Sequence, residues 1–327
     1  MENDTLYVAY SADDNYCKYL GSSMLTLFQH NIGFARIRVY ALDCGMKEES
    51  KAKLREIADQ FHREIQFIPM EEKVDSLGLH LGAHKIALAS YARLFLASVL
   101  PEECQRVIYL DCDTIVLDSL APMWNTPMEG ALIAGVQDTV DSYFLQAIGM
   151  DTHVPYLNAG ILLIDLALWR KENLFARFQE VIERFQGNVP HHDQGTINAV
   201  CGDRRKVLPV RYNLTTSLYS FSSSTICRIY FLEDFYPQAE IDAAIAHPAI
   251  VHFTTGLLGR PWESGSTHPQ KQAYAAAMAA TPWGEQALLP DSRYFGLKAF
   301  TFVYNHCPNK LFEVCYRRMC WLLHLRK

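Results

Sequence analysis

The sequence has no Cys-x-x-Cys pair, although it contains nine cysteines in 327 residues. An odd count without paired spacing excludes a disulfide framework and offers no zinc-type ligand spacing. Cys104, Cys112, Cys201, Cys315 and Cys320 stand in apolar contexts, as reduced thiols of a cytosolic protein do. No apolar run reaches the ~20 residues a bilayer span needs. The longest, AGILLIDLALW, carries Asp165 in its middle. The opening MENDTLYV lacks the basic and apolar parts of a signal peptide, so a cytoplasmic location is expected. There is no G-x-G-x-x-G after the first strand pattern, which disfavours a dinucleotide cofactor, and no G-x-x-x-x-G-K-[ST], which excludes a P-loop. The body has no basic stripe to exchange counterions with phosphates, so nucleic acid is not an expected partner.

What is present is a chain that is 50% apolar and 20% charged, ordinary for a packed α/β protein. The net charge of −6 is uneven. From Lys298 onward there are six Lys/Arg against one acid, Glu313, which leaves −11 on residues 1–297. A basic tail on an acidic body points to a partner of its own. Strand and helix patterns alternate: TLYVAYSA, a helix over 15–30, RIRVYALD, a helix over 47–61, EIQFIPM, an apolar helix over 88–100, then RVIYL. They continue with ALIAGV, AGILLIDL, helices over 169–185 and 193–200, KVLPVRYN, AIVHF, a Gly/Pro/Ser-rich loop over 256–269 and an alanine-rich helix over 270–280. Apolar strands alternating with helices predict a mostly parallel sheet covered on both faces.

Ligands of such sheets bind beyond the carboxyl ends of the strands. The first loop, SADDNY, sets polar groups and Tyr16 there, and Asp13 or Asp14 equally suits a helix cap. RVIYL runs into Asp111 and Asp113. An Asp-x-Asp somewhere among 18 aspartates is expected by chance, so its place at a buried strand end is what counts. Two adjacent carboxylates repel unless a cation lies between them, and oxygen ligands suit Mg²⁺ or Mn²⁺. His252 closes another apolar strand and offers a third ligand, although a lone histidine is also a common core residue. Asn158 in YLNAGILLI and Asp193 with Gln194 in HHDQGTINAV open elements, as turn and cap residues also do. Arg93 lies in an apolar helix and needs an anionic partner, a carboxylate or a ligand phosphate.

The ordered set ADDNY, YARL, YLDCDTIVLDSL, NAGILLI, DQGTIN and HFTTGLLGRPW resembles glycosyltransferase family 8, the retaining GT-A enzymes, over about residues 6–262. The resemblance implies a single Rossmann-like α/β/α GT-A domain over 1–290 with a helical, basic and aromatic tail over 291–327. It implies transfer of galactose or glucose from a UDP-sugar to a glycan hydroxyl, with Mn²⁺ (or Mg²⁺) as cofactor. Ser11, Asp13, Asn15, Tyr16, Arg93 and Cys112 would hold the nucleotide. Asp111, Asp113 and His252 would hold the metal. Arg93, Asp138, Asn158 and Asp193 would read the donor sugar, with Gln194 beside Asp193 at the reacting carbon and Gly256 and Arg260 on the phosphates. One departure is plain: the family usually writes His-x-x-Gly-x-x-Lys-Pro-Trp, whereas Arg260 stands eight residues after His252, in a loop two residues longer. The tail, as a helix rich in Phe, Tyr, Trp, Leu, Arg and Lys, suits the anionic inner face of the cytoplasmic membrane, and packing on the domain is the other reading. Rival functions are a glycogenin-like self-glucosylating enzyme, a haloacid-dehalogenase-type phosphatase using Asp111 as nucleophile, and a nucleotide-sugar binder without catalysis.

Overall fold

The structure is a computed structural model and describes residues 5–70, 72–73, 88–307 and 309–324. Met1 to Asp4, Arg326 and Lys327, part of the N-terminal and tail readings, lie outside these residues. Among the described residues ten strands form two sheets: β1 Thr5–Ala12, β2 Arg36–Asp43, β3 Glu64–Pro69, β4 Arg106–Leu110, β5 Thr114–Val116, β6 Ile133–Gln137, β7 Leu157–Asp165, β8 Arg205–Val207, β9 Leu214–Thr215 and β10 Ile250–His252. The larger sheet runs β3-β2-β1-β4-β7-β6-β8. It is parallel except at β7, which is antiparallel to both β4 and β6.

Side chains alternate across this sheet, as the pleat requires. Leu6, Val8 and Tyr10 of β1 and Ile161 and Leu163 of β7 enter one core, while Ala9, Leu162 and Ile164 enter the other. Both faces are buried, so the strands read as continuous apolar runs.

The second sheet, β5-β10-β9, positions the site. The sequence pattern places His252 on the same sheet edge as the aspartates. The structure instead puts it on this small sheet, with β10 antiparallel to β5 so that His252 pairs with Thr114, just after Asp113. Other differences are local. KVLPVRYN is no single strand: Pro209 has no N–H for a ladder, and a 3-10 turn over Val210–Tyr212 separates β8 from β9. The helix expected over 169–185 divides into Leu166–Lys171 and Leu174–Arg184 at Asn173, which adopts φ 48°. The helix over 88–100 tightens to 3-10 at Arg93–Phe95.

The tail forms two helices, Phe295–His306 and Asn309–His324. One side packs on the body. Phe312 is buried with Ile229 and Leu257, Glu313 pairs with Arg228 at 2.9 Å, and Tyr304 Oη donates to the Ser220 carbonyl at 2.7 Å. The other side exposes Tyr294, Phe295, Phe302, Leu311 and Val314. Among the described residues no helix is long and apolar enough to cross a membrane.

Gly135 of β6 lies under Leu162; a Cβ there would stand 2.8 Å from Leu162 Cδ2 and 3.3 Å from the Ile161 carbonyl oxygen. Gly135→Ala is expected to cost about 1–3 kcal/mol by overpacking, read as a lower denaturant midpoint. Combining it with Leu162→Ala should recover part of that loss. Strictly additive losses would show that Leu162 is not what reserves the position for glycine.

Candidate active site

β1 delivers Ser11 and Asp13 to the carboxyl edge of the large sheet. Asp13 Oδ1 accepts from the Tyr16 N–H at 3.1 Å and caps the short 3-10 turn Asp14–Tyr16. The capping and pocket readings of Asp13 therefore coincide. Ser11, Asp13 and Tyr16 line a cavity of about 180 Å³ together with Arg93 and the turn from Asp111 to Asp113. Tyr16 is 37% exposed, its ring edge-on to Tyr19, and so keeps a face free for a stacking partner. Ser11 Oγ donates to the Ala89 carbonyl, and the Cys112 thiol donates to the Ser11 carbonyl. Asn15 does not line the cavity; it is exposed and donates to Asp13 Oδ2 at 3.3 Å.

Arg93 is buried and faces two carboxylates: Nη2 lies 2.9 Å from Asp111 Oδ1 and Nε 3.0 Å from Asp193 Oδ2. Its Nη1 donates to the Ala159 carbonyl, and its guanidinium stacks on Tyr109, 4.4 Å from the ring centroid. Tyr109 Oη in turn donates to Asp111 at 3.1 Å.

Asp111 and Asp113 do not share one face of an extended strand, as the sequence spacing suggests. The chain bends between β4 and β5, and that bend turns both carboxylates toward His252. His252 Nε2 lies 3.2 Å from Asp113 Oδ1 and 3.8 Å from Asp111 Oδ2. One ligand atom from each of the three residues falls within 4.8 Å of the others. The electrostatics are those of a cation site. Burial opposes ionisation of both aspartates and raises Asp111, whereas His252 and Arg260 overcome it at Asp113 and hold that carboxyl below its usual range. Burial also works against protonation of His252, but Asp113 outweighs it. Two carboxylates and an imidazole fit a hard divalent cation.

Asp138, Asn158 and Gln194 form one connected group. Asp138 Oδ2 accepts from Asn158 Nδ2 at 3.0 Å and from Gln194 Nε2 at 2.9 Å. Gln194 Oε1 accepts from the Ala159 N–H, so both ends of its amide are engaged. Asp193, beside it at the start of the helix His192–Cys201, is buried, and burial pushes its carboxyl up to about 6 against the pull of Arg93. Arg260 Nη2 lies 3.7 Å from Asp113 Oδ2, and its Nε donates to the Phe253 carbonyl. Gly256 packs on Thr216, which leaves no room for a side chain.

Three contributors were not among the site residues singled out in the sequence. Asn213 is fully buried; its Oδ1 faces His252 Nδ1 at 3.1 Å, and its Nδ2 donates to Asn158 Oδ1 at 2.9 Å. That bond turns Nε2 of the imidazole toward the aspartates. Only the parallel pairing of β9 with β10 brings Asn213 there, which no local pattern announces. Gly160 is the second: a Cβ would stand 2.4 Å from His252 Cε1 and 2.7 Å from Asp111 Oδ2. Its signal is the Asn-Ala-Gly run within β7. Tyr109, the third, looks in the sequence like any buried strand residue.

A mostly parallel sheet flanked by helices, with a carboxylate–imidazole centre at its carboxyl edge, is the architecture of the GT-A glycosyltransferases. Residues 7–265 match the model of glycosyl transferase family 8, and the chain belongs to that family. It is similar to General stress protein A of Bacillus subtilis, 26% identical over 86% of this chain and 96% of the relative. It is also similar to the lipopolysaccharide 1,3-galactosyltransferase of Salmonella typhimurium, 23% identical over 88% of this chain and 81% of the relative. Among solved structures, the galactosyltransferase LgtC in complex with donor and acceptor sugar analogs superposes with a TM-score of 0.69 at 24% identity. It covers 85% of this chain and 96% of its own. That likeness carries the fold.

Asn213→Ala should weaken Mn²⁺ binding roughly 10–100-fold, the usual cost of losing the partner of a ligating histidine. Calorimetric titration of the purified protein measures it. Unchanged affinity would mean that Asn213 does not orient His252.

Proposed function

We propose that this family 8 glycosyltransferase moves a hexose, galactose or glucose, from a UDP-sugar to a hydroxyl of a cell-surface glycan such as lipopolysaccharide, with retention at the anomeric carbon. The convergence of Asp111, Asp113 and His252 beside Arg93, at the mouth of the cavity bearing Asp13 and Tyr16, carries this reading. The match of residues 7–265 to glycosyl transferase family 8 speaks against the phosphatase alternative.

The residues divide the work. Tyr16 stacks on the base, and Ser11, Asp13 and Cys112 complete the nucleoside side, with Asn15 steadying Asp13 through its hydrogen bond. Asp111, Asp113 and His252 would hold Mn²⁺ or Mg²⁺. A divalent cation bound there would supply neutralisation of the charge on the departing diphosphate without any proton transfer. Arg93 binds donor sugar and diphosphate, and Arg260, with Gly256, meets the phosphates in place of the family lysine. The carboxylates of Asp138 and Asp193 accept hydrogen bonds from the sugar hydroxyls, and the Asn158 amide donates to them. Gln194 is a poor nucleophile, and both ends of its amide are tied. Retention then comes from attack by the acceptor hydroxyl on the face the diphosphate leaves, with Gln194 steadying the electron-poor sugar and a phosphate oxygen taking the proton. The tail over 291–327 holds the enzyme on the anionic inner face of the cytoplasmic membrane. Its exposed Phe295, Phe302 and Val314 and its Arg and Lys residues support that role.

A panel of UDP-sugars with and without Mn²⁺, scored by UDP release, is expected to show metal-dependent turnover of UDP-galactose or UDP-glucose. Asp111→Asn and Asp113→Asn should each abolish it with Tm preserved. Retained activity in both variants would overturn the metal role. A mass gain on the protein itself after UDP-glucose incubation would identify self-glucosylation instead.

Asp193 sets a pH limit. Its folded pKa of about 6 lies above the ordinary 3.8, so the native protein binds this proton more tightly than the unfolded chain. The ionised group thus costs stability above about pH 6, and the cost is relieved as pH falls toward 3.8. Activity takes the opposite sign, because the carboxylate is the form that pairs with Arg93. kcat/KM should fall roughly tenfold per unit below about pH 6. A flat profile between pH 7 and 5 would remove ionised Asp193 from the reaction.

A further inference from the structure

We propose that Glu263 is a positioning residue for Arg260, and that the chain segment leading into the C-terminal helices completes this device. The proposal rests on the phosphate role given to Arg260 above. Glu263 is almost fully buried, 3% exposed, which for a carboxylate demands partners. It has two. Its Oε2 accepts from the backbone N–H of Arg260 at 3.4 Å, and its Oε1 accepts from Ser292 Oγ at 2.5 Å. The Glu263 N–H returns a bond to the Arg260 carbonyl at 3.0 Å. One residue therefore clamps both polar groups of the Arg260 backbone, and Ser292 holds the clamp from outside the loop.

The same segment grips the loop at two further points. Leu289 and the loop exchange backbone bonds, Leu289 N–H to the Trp262 carbonyl and Ser264 N–H to the Leu289 carbonyl, both 2.8 Å. Arg293, fixed by both oxygens of Asp291, donates to the Leu257 carbonyl. Thr301, already on the first tail helix, reaches the same carbonyl at 3.3 Å. A loop two residues longer than the family pattern would otherwise present its cation loosely. Here it is tied at Leu257, Arg260, Trp262 and Ser264, so the Arg260 guanidinium stays within 3.7 Å of Asp113.

The test uses the full chain, with UDP release at saturating Mn²⁺, UDP affinity by calorimetry, and Tm. Ser292→Ala removes one hydrogen bond to a buried carboxylate. It should lower kcat/KM roughly 3–10-fold, the size of one ordinary net hydrogen bond, when assayed well below the Tm of the variant. Ser292→Thr keeps the hydroxyl and should restore the rate. Arg260→Ala should lower kcat/KM further, and adding Ser292→Ala or Glu263→Gln to it should cost nothing more. If the losses multiply in the double variants, or follow Tm alone, Glu263 and Ser292 are structural and the proposal falls while the role of Arg260 stands. An Arg260→Ala enzyme of wild-type rate would remove the phosphate role itself, and this proposal with it.

Discussion

Asp111, Asp113, Asp138 and Asp193 meet at one sheet edge, and the need to balance their charge organises the rest of the cleft. Asp111 and Asp113 offer oxygens within 4.8 Å of each other. At an effective dielectric near 20, two such charges repel by about 3 kcal/mol. Each carboxylate is accordingly given a donor. Arg93 serves Asp111 and Asp193, His252 and Arg260 serve Asp113, and the amides of Asn158 and Gln194 serve Asp138. Removing Arg93 would take the cation from both Asp111 and Asp193, which is more costly than the pairs were favourable. Arg93 is buried for that reason, in a helix that otherwise looks purely apolar.

The second sheet is the geometric answer to the same constraint. A parallel sheet delivers residues to its carboxyl edge from β1 and β4, but an imidazole that is to face both aspartates must approach from the side. β5 continues the chain past Asp113, β10 pairs with it in the opposite direction, and His252 returns beside the turn it serves. β9, parallel to β10, then supplies Asn213 behind the ring. Gly160 completes the fit by being absent as a side chain. Any Cβ there would lie among His252, Asp111 and Asn158.

Strands β1 to β4 and the carboxyl-edge location were legible in the sequence because both depend on local patterns: continuous apolar runs, Asp13 after one and Asp111 after another. Their ordered spacing made the family recognisable from the residues alone. What was not legible depends on pairings between distant segments. Thr114–Val116 is three residues long and reads as the tail of a loop. Asn213 sits in a stretch whose Pro209 breaks the strand it seemed to continue. Asn173 splits a helix by taking a left-handed conformation that asparagine tolerates better than most residues. The tail was legible as helical and basic. That Phe312 and Glu313 turn one side of it onto the body follows only from what Ile229 and Arg228 present to it.

The residue between the two aspartates bears on which cation the proposed centre prefers. A cysteine flanked by metal-ligand carboxylates looks like a ready thiolate, and a thiolate would draw soft ions such as zinc. Cys112 is instead turned away, its thiol donating to the Ser11 carbonyl. Burial raises its pKa well above normal, and the negative charges of Asp111 and Asp113 raise it further. The sulfur is thus occupied by the Ser11 carbonyl and is not among the atoms gathered at the centre. The donor set stays two oxygens and one nitrogen, which suits manganese or magnesium, and the backbone of β1 is tied to the metal-side turn by the bond that occupies the sulfur.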